Sequence, residues 1–155
     1  MRGISRELPL PIEPGAAFAL LHSPAAIRKW WSATSAVVAA RPDGVWIAAW
    51  GPEEAPEYVT VSRILVWDPP HRLRLGHFEY FAREGGLPFD DGIETEFTVG
   101  RAAGGCVLTV RQEGFPADAS ADAFFEACER GWAATFDGIR RYVEERRTGA
   151  QVGGR

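Results

Sequence analysis

The sequence predicts an α+β domain: a curved antiparallel sheet of about six to seven strands around one long C-terminal helix. Two short helices are expected after the first strand. Three observations carry this reading. Alternating apolar and polar runs, separated by glycine- and proline-rich turns, recur through the middle of the chain. Two proline-led helical signals stand between the first of these runs and the rest. A single amphipathic pattern about seven turns long closes the chain.

The elements follow in order. "GISRELPLPI" alternates and reads as a first strand, roughly residues 2 to 12, closed by Pro11 and Pro14. "PGAAFALLHS" reads as a short helix whose Phe18, Leu21 and His22 share a face. Ser23 is a good N-cap and Pro24 a tolerated first residue, so "PAAIRKWW" is a second short helix. "SAVVAARP" and "VWIAAW" flank a "DG" hairpin signal. "EYVTVSRILVW" runs to the stop "DPP". In "RLRLGHFEYF", Leu73, Leu75, His77, Glu79 and Phe81 share one parity. "AREGGLPFDDG" is a long loop, after which "IETEFTVG" and "CVLTVRQEGF" alternate around "GG". Ser120 is expected to cap the last helix, from about Ala121 to Arg147. Its apolar stripe is Phe125, Cys128, Trp132, Phe136 (or Thr135), Ile139 and Val143. Residues 1–147 are expected to form one domain and 148–155 a disordered tail.

Composition excludes several functions. The formal net charge is −4 and glutamates interrupt the arginines of "IRRYVEERR", which argues against a nucleic-acid partner. No apolar run approaches the ~18 residues of a membrane span, and the N-terminus lacks a signal-peptide core, so a cytoplasmic location is expected. Cys106 and Cys128 form no CxxC pair and read as free buried thiols. His22, His71 and His77 show no metal-ligand spacing, and no nucleophile motif is present, so no metal, cofactor or catalytic residue is assigned.

Four stretches carry a resemblance: "IEPGAAFALLHSPAAIRKWW", "VWDPPHRLRL", "GGCVLTVRQEGFP" and "RGWAATFDGIRRYVEE". In this order they resemble the helix-grip fold of the START, birch-pollen-allergen-like (SRPBCC) superfamily. They look most like the branch named for the C-terminal domain of the activator of heat-shock protein 90 ATPase. Cys106 stands where threonine is commoner. The resemblance implies a cavity between sheet and helix, but no single function. Its members include lipid carriers, polyketide aromatase/cyclases and chaperone activators. The activators carry an additional N-terminal domain, which is not expected here.

Three readings follow. The first is a protein that binds a small hydrophobic molecule, gated by the two short helices and the "AREGGLPFDDG" loop. The second is an interaction module with a chaperone as partner; the third is a cyclase-like enzyme. A homodimer is a family-style expectation. Pocket candidates are Trp31, Trp46, Trp50, Tyr58, His77, Glu79, Phe97, Trp132 and Phe136. Ala48 between Trp46 and Trp50 leaves room for a groove or a nested core. His77 reads either as a core or edge histidine, or as a polar group inside the cavity. Glu94 and Glu96 lie opposite in parity to Ile93, Thr95, Phe97 and Val99, and are expected in water, as are Arg63 and Arg111. The neighbours Trp30 and Trp31 cannot share a direction on a helix. Trp30, on a face with Ala26 and Ile27, is expected in the core, and Trp31 at the cavity mouth.

Overall fold

The computed structural model describes residues 2–87, 89 and 92–153. Strand β1 (Arg2–Leu10) leads into helices α1 (Pro14–Leu20) and α2 (Pro24–Trp30). Then come β2 (Ser35–Val38), β3 (Val45–Trp50), β4 (Tyr58–Asp68), β5 (Arg72–Ala82), β6 (Glu94–Ala102) and β7 (Gly105–Phe115). Helix α3 (Asp122–Gly153) follows. The seven strands form one antiparallel sheet in the order β1-β7-β6-β5-β4-β3-β2. This is the α+β architecture expected from the sequence.

Local chemistry sets the boundaries. Pro14 opens α1, and the Ser23 hydroxyl accepts from the Ala26 N–H at 3.2 Å to cap α2. β1 stops at Leu10, two residues before the expected end, because Pro11 has no N–H to continue the ladder. Ser120 is not the cap of the long helix. The chain enters α3 through a 3-10 turn, Ala119–Ala121, in which the Ala121 N–H donates to Asp118 O at 3.1 Å. Asp122 then sits in the first turn of α3, where a carboxylate suits the helix dipole, and pairs with Arg2 at 2.7 Å. The helix continues to Gly153, beyond Arg147; residues 154 and 155 of the expected tail lie outside the described residues.

The core lies between the concave face of the sheet and the three helices. Phe18, Leu21, Ile27 and Trp30 meet Trp132, Phe136, Ile139 and Val143 of α3 there, all buried. Trp30 is 3% exposed, as expected. α2 and α3 approach closely at one point: a side chain at Gly138 would collide with the Trp30 carbonyl oxygen.

Two β-bulges decide which residues of β4 and β5 face inward. Val61 opposes Glu79 and Arg63 opposes Gly76, so His77 and Phe78 together face Ser62. His77 takes the strain of the bulge with φ +49, a left-handed conformation uncommon for a non-glycine residue. Inward parity therefore passes from Leu73 and Leu75 to Phe78 and Tyr80. On β4 a second bulge leaves Leu65 without a counterpart, between the pairs Ile64–Leu75 and Val66–Arg74. Leu65, outward by alternation after Ile64, covers the space that Gly76 leaves free of a side chain, and the extra residue brings Trp67 inward against Phe18. β5 pairs with β6 only over Arg72–Leu75 among the described residues. β6 begins at Glu94, one residue before the partner of Leu75, so β5 runs on past the start of β6.

Candidate functional site

A pocket of about 280 Å³ occupies the space between sheet and α3, beside the point where β5 runs on past the start of β6. Trp31, Trp46, Trp50 and Tyr58 wall one side. Trp31 closes α2 as its C-cap residue, so its ring projects beyond the helix that holds Trp30. The two indoles stack with centroids 5.4 Å apart. Trp31 also meets Trp50 edge-on at 4.8 Å, Trp46 at 5.5 Å and Trp132 at 6.0 Å. It is half-buried at the cavity wall, and its place there comes from the end of α2 and not from a turn of the helix.

Hydrogen bonds from the indoles hold this wall. Trp30 donates to Leu20 O at 2.9 Å and Trp46 to Leu21 O at 2.8 Å, satisfying carbonyls at the end of α1. Trp50 donates to Trp31 O at 3.1 Å, tying β3 to the end of α2. Each ring can thus stay in an apolar wall with its polar edge paired.

The opposite side is built by β5, β6, β7 and α3. Phe78, Tyr80, Phe97 and Phe124 line it with Trp132. A continuous run of aromatic contacts rims the pocket. Trp50 stacks on Tyr58 at 4.7 Å, Tyr58 meets Tyr80 at 6.0 Å, Tyr80 meets Phe124 edge-on at 5.6 Å, and Phe89 meets Phe124 at 5.8 Å. The rest of the loop expected to gate the pocket includes residues 88, 90 and 91, which lie outside the described residues.

A polar strip crosses the floor. Gln112 is buried; its Nε2 donates to Thr95 Oγ1 at 3.0 Å, and its Oε1 accepts from the Trp132 indole at 2.8 Å. One glutamine therefore joins β7, β6 and α3 and fixes the Trp132 ring. Thr60, Ser62 and Thr135 add hydroxyls to the lining. Thr60 Oγ1 is buried with no hydrogen-bond partner among the described residues.

The titratable groups of the lining are neutral. Burial pushes the Cys128 thiol up to about 12. Burial raises the Tyr58 hydroxyl, helped by Tyr80 and Glu57, and raises the Tyr80 hydroxyl, helped by Cys128 and Glu84. A protonated thiol and two protonated phenols can donate hydrogen bonds, but the thiol is a poor nucleophile at neutral pH.

Six of the residues expected at the site line this pocket: Trp31, Trp46, Trp50, Tyr58, Phe97 and Trp132. Three do not. His77 and Glu79 lie on the outer face of β5, because the bulge at His77 reverses the parity that would have turned them inward. Phe136 is one turn deeper along α3, 5% exposed in the core, with its ring edge-on to Trp132 at 6.2 Å. Phe78 and Tyr80 take the inward places on β5, and a strict alternation cannot find them. Phe124 of α3 also lines the pocket, while Phe125 of the apolar stripe packs on Phe115 at 5.1 Å and under the Arg2 guanidinium. Gln112 was legible in principle, since it shares the inward parity of Cys106, Leu108 and Val110.

The outer face divides into two parts. Over β5, β6 and β7 it carries an ion-pair network: Arg72–Glu96, Arg74–Glu94 at 2.6 Å, Arg74–Glu96 at 3.4 Å and Arg111–Glu113 at 3.2 Å. Glu94 and Glu96 lie on this outer face as expected from parity, but Glu96 is covered by Arg72 and Arg74 and keeps only 11% of its side chain exposed. Over β2 to β5 the outer face carries an apolar cluster, bordered by Glu79, which opposes Val61, and by Arg63. Val37, Ile47 and Val61 stand in register across three strands, with Val59 and Phe81 alongside. Val37 and Phe81 are each 55% exposed.

A family model described as activator of Hsp90 ATPase homolog 1-like protein matches residues 11–144. The chain belongs to this family. None of the curated proteins matches it. Its fold is shared with solved structures of low sequence identity. A protein of Mesorhizobium loti superposes with a TM-score of 0.74 at 16% identity, over 94% of this chain and 98% of that one. A protein of Chromobacterium violaceum gives 0.68 at 22% identity, over 93% and 99%. An AHSA1-like protein of Aeromonas hydrophila gives 0.67 at 18% identity, over 93% of each. At these identities the likeness extends to the fold alone. Among the described residues, no helix is long and apolar enough to cross a membrane. Nor do three or more His, Cys, Asp or Glu residues converge on a metal position there.

Proposed function

We propose that this protein binds a small, largely apolar molecule in the pocket between the sheet and α3. The observation that carries the reading is a pocket of about 280 Å³ whose walls are mostly aromatic. Small-molecule sites typically measure about 300–1,000 Å³ and combine apolar walls with a few fixed polar groups. This pocket is near the lower bound, which suits a compact ring system better than a long acyl chain. Titration with naphthalene and its derivatives tests the reading through tryptophan fluorescence, since Trp31, Trp46, Trp50 and Trp132 all touch the space. Saturable quenching is expected; none from any compound would count against it.

A cyclase-like activity has lost its basis in named residues, because His77 and Glu79 are outside the pocket.

One observation favours a second reading, an interaction module whose partner is the Hsp90 ATPase of the family's description. It is the apolar cluster on the outer face formed by Val37, Ile47, Val59, Val61 and Phe81. Val37 and Phe81 are its most exposed members, and exposed apolar clusters of this kind can mark interaction sites. Stimulation of Hsp90 ATP hydrolysis by the wild type, and its loss in Phe81→Asp, would support this reading. No stimulation would retire it.

A further inference from the structure

We infer that the pocket selects an uncharged planar molecule bearing one hydrogen-bonding oxygen, and that Thr60 is the residue that recognises this oxygen. The inference rests on the ligand reading above and specifies the ligand's chemistry.

Three observations converge. The first is an orphan: Thr60 Oγ1 is buried, lines the pocket and has no hydrogen-bond partner among the described residues. Buried polar atoms are nearly always paired, and leaving one unpaired is costly. None of the other hydroxyls of the lining, those of Tyr58, Ser62, Tyr80 and Thr135, bonds it. Thr60 stands between Ala48 of β3 and Tyr80 of β5 in the register. Ala48 has no polar side-chain atom to offer. The neighbouring floor polar groups, Gln112 and Thr95, are already bonded to each other and to Trp132. An oxygen on a bound molecule completes the set, because a threonine hydroxyl can both donate and accept.

The second observation is the absence of charge. No Asp, Glu, Lys, Arg or His lines the pocket among the described residues. A carboxylate entering it would lose water and meet no cation, so anionic ligands are rejected. The third is shape: Trp31, Trp132, Phe97 and Phe78 present ring surfaces, which favour flat aromatic partners in offset or edge-on contact.

Three probes of similar size separate these features: naphthalene, 2-naphthol and 2-naphthoate. Calorimetric titration of the wild-type protein is expected to rank 2-naphthol about tenfold tighter than naphthalene, the scale of one well-made buried hydrogen bond. 2-Naphthoate is expected to bind at least tenfold more weakly than naphthalene. Thr60→Val keeps the shape and removes the hydroxyl. It should reduce the 2-naphthol advantage to under threefold, leave naphthalene affinity equal or higher, and melt no lower than the wild type. Thr60→Ser, which keeps the hydroxyl, should retain the preference and guards against a folding failure of the valine variant.

Equal binding of 2-naphthol and naphthalene to the wild type overturns the inference. So does an unchanged preference in Thr60→Val, or 2-naphthoate binding as tightly as 2-naphthol. Failure of all three probes to bind removes the ligand reading itself. Naphthalene binding without an oxygen preference removes only the role of Thr60.

Discussion

Trp30 and Trp31 are adjacent, aromatic and stacked, yet their surroundings give them different tasks. Trp30 is 3% exposed and bonded to Leu20 O, so Trp30→Ala should cost ~3–5 kcal/mol of stability in denaturant unfolding. Trp31 is half-buried at the pocket wall, so Trp31→Ala should cost less stability but weaken naphthalene binding at least tenfold. Similar losses of stability and unchanged binding in both variants would remove the distinction. Helix geometry alone did not assign these tasks: the two rings stack, and Trp31 reaches the pocket because it lies past the end of α2 as its C-cap. Gln112 makes a comparable case. Gln112→Leu leaves the Trp132 indole N–H without its acceptor, and is expected to cost ~1–3 kcal/mol by the same measurement. His22 sets a pH dependence. Burial lowers its pKa below 6.5, against the opposing pull of its backbone hydrogen bond, so the fold prefers the neutral ring. The unfolded chain takes up the proton first as pH falls. Stability from this group is intact above about 6.5 and declines from there down to the lower folded value. In His22→Phe that part of the decline should disappear from the melting temperatures.

At the scale of elements, the strands follow their alternation until a bulge interrupts it. Leu73 and Leu75 face inward as the pattern requires; His77 and Glu79 do not, because one extra residue on β5 reverses every side chain after it. No motif in "RLRLGHFEYF" marks the bulge except Gly76, which also reads as an ordinary strand glycine. His77 at φ +49 makes the bulge testable. His77→Gly is expected to be neutral or stabilising, and His77→Val to destabilise by ~1–2 kcal/mol, since a β-branched residue resists the left-handed conformation. Neither change should alter naphthalene affinity by more than threefold, because the side chain is outside the pocket. Helices were more legible than the bulged strands. Pro14, Ser23 and Pro24 are local signals with local consequences, whereas the start of α3 depends on a 3-10 turn that no single residue announces. Gly138 shows the same limit: its need for no side chain comes from the Trp30 carbonyl of another helix.

At the scale of the molecule, the pocket exists because sheet and helix do not close on each other where β5 runs on past the start of β6. Alternation, helical periodicity and the family resemblance together pointed to Trp31, Trp46, Trp50, Tyr58, Phe97 and Trp132, which line the pocket, and also to His77, Glu79 and Phe136, which do not. The remainder of the lining was hidden by the bulge and by the exact rotation of α3, which selects Phe124 and Cys128. Cys128 reports on the enclosure of this space. With its thiol at about 12, iodoacetamide should modify it slowly in the folded protein and rapidly in denaturant. The most direct measurement fills the pocket from α3. Ala127 lines it, and Ala127→Trp would occupy the space a ligand needs. Calorimetric titration with naphthalene should show one saturable site in the wild type and none in Ala127→Trp, with both proteins folded by circular dichroism. Equal binding by the folded variant would place the ligand elsewhere and contradict the pocket as the functional site.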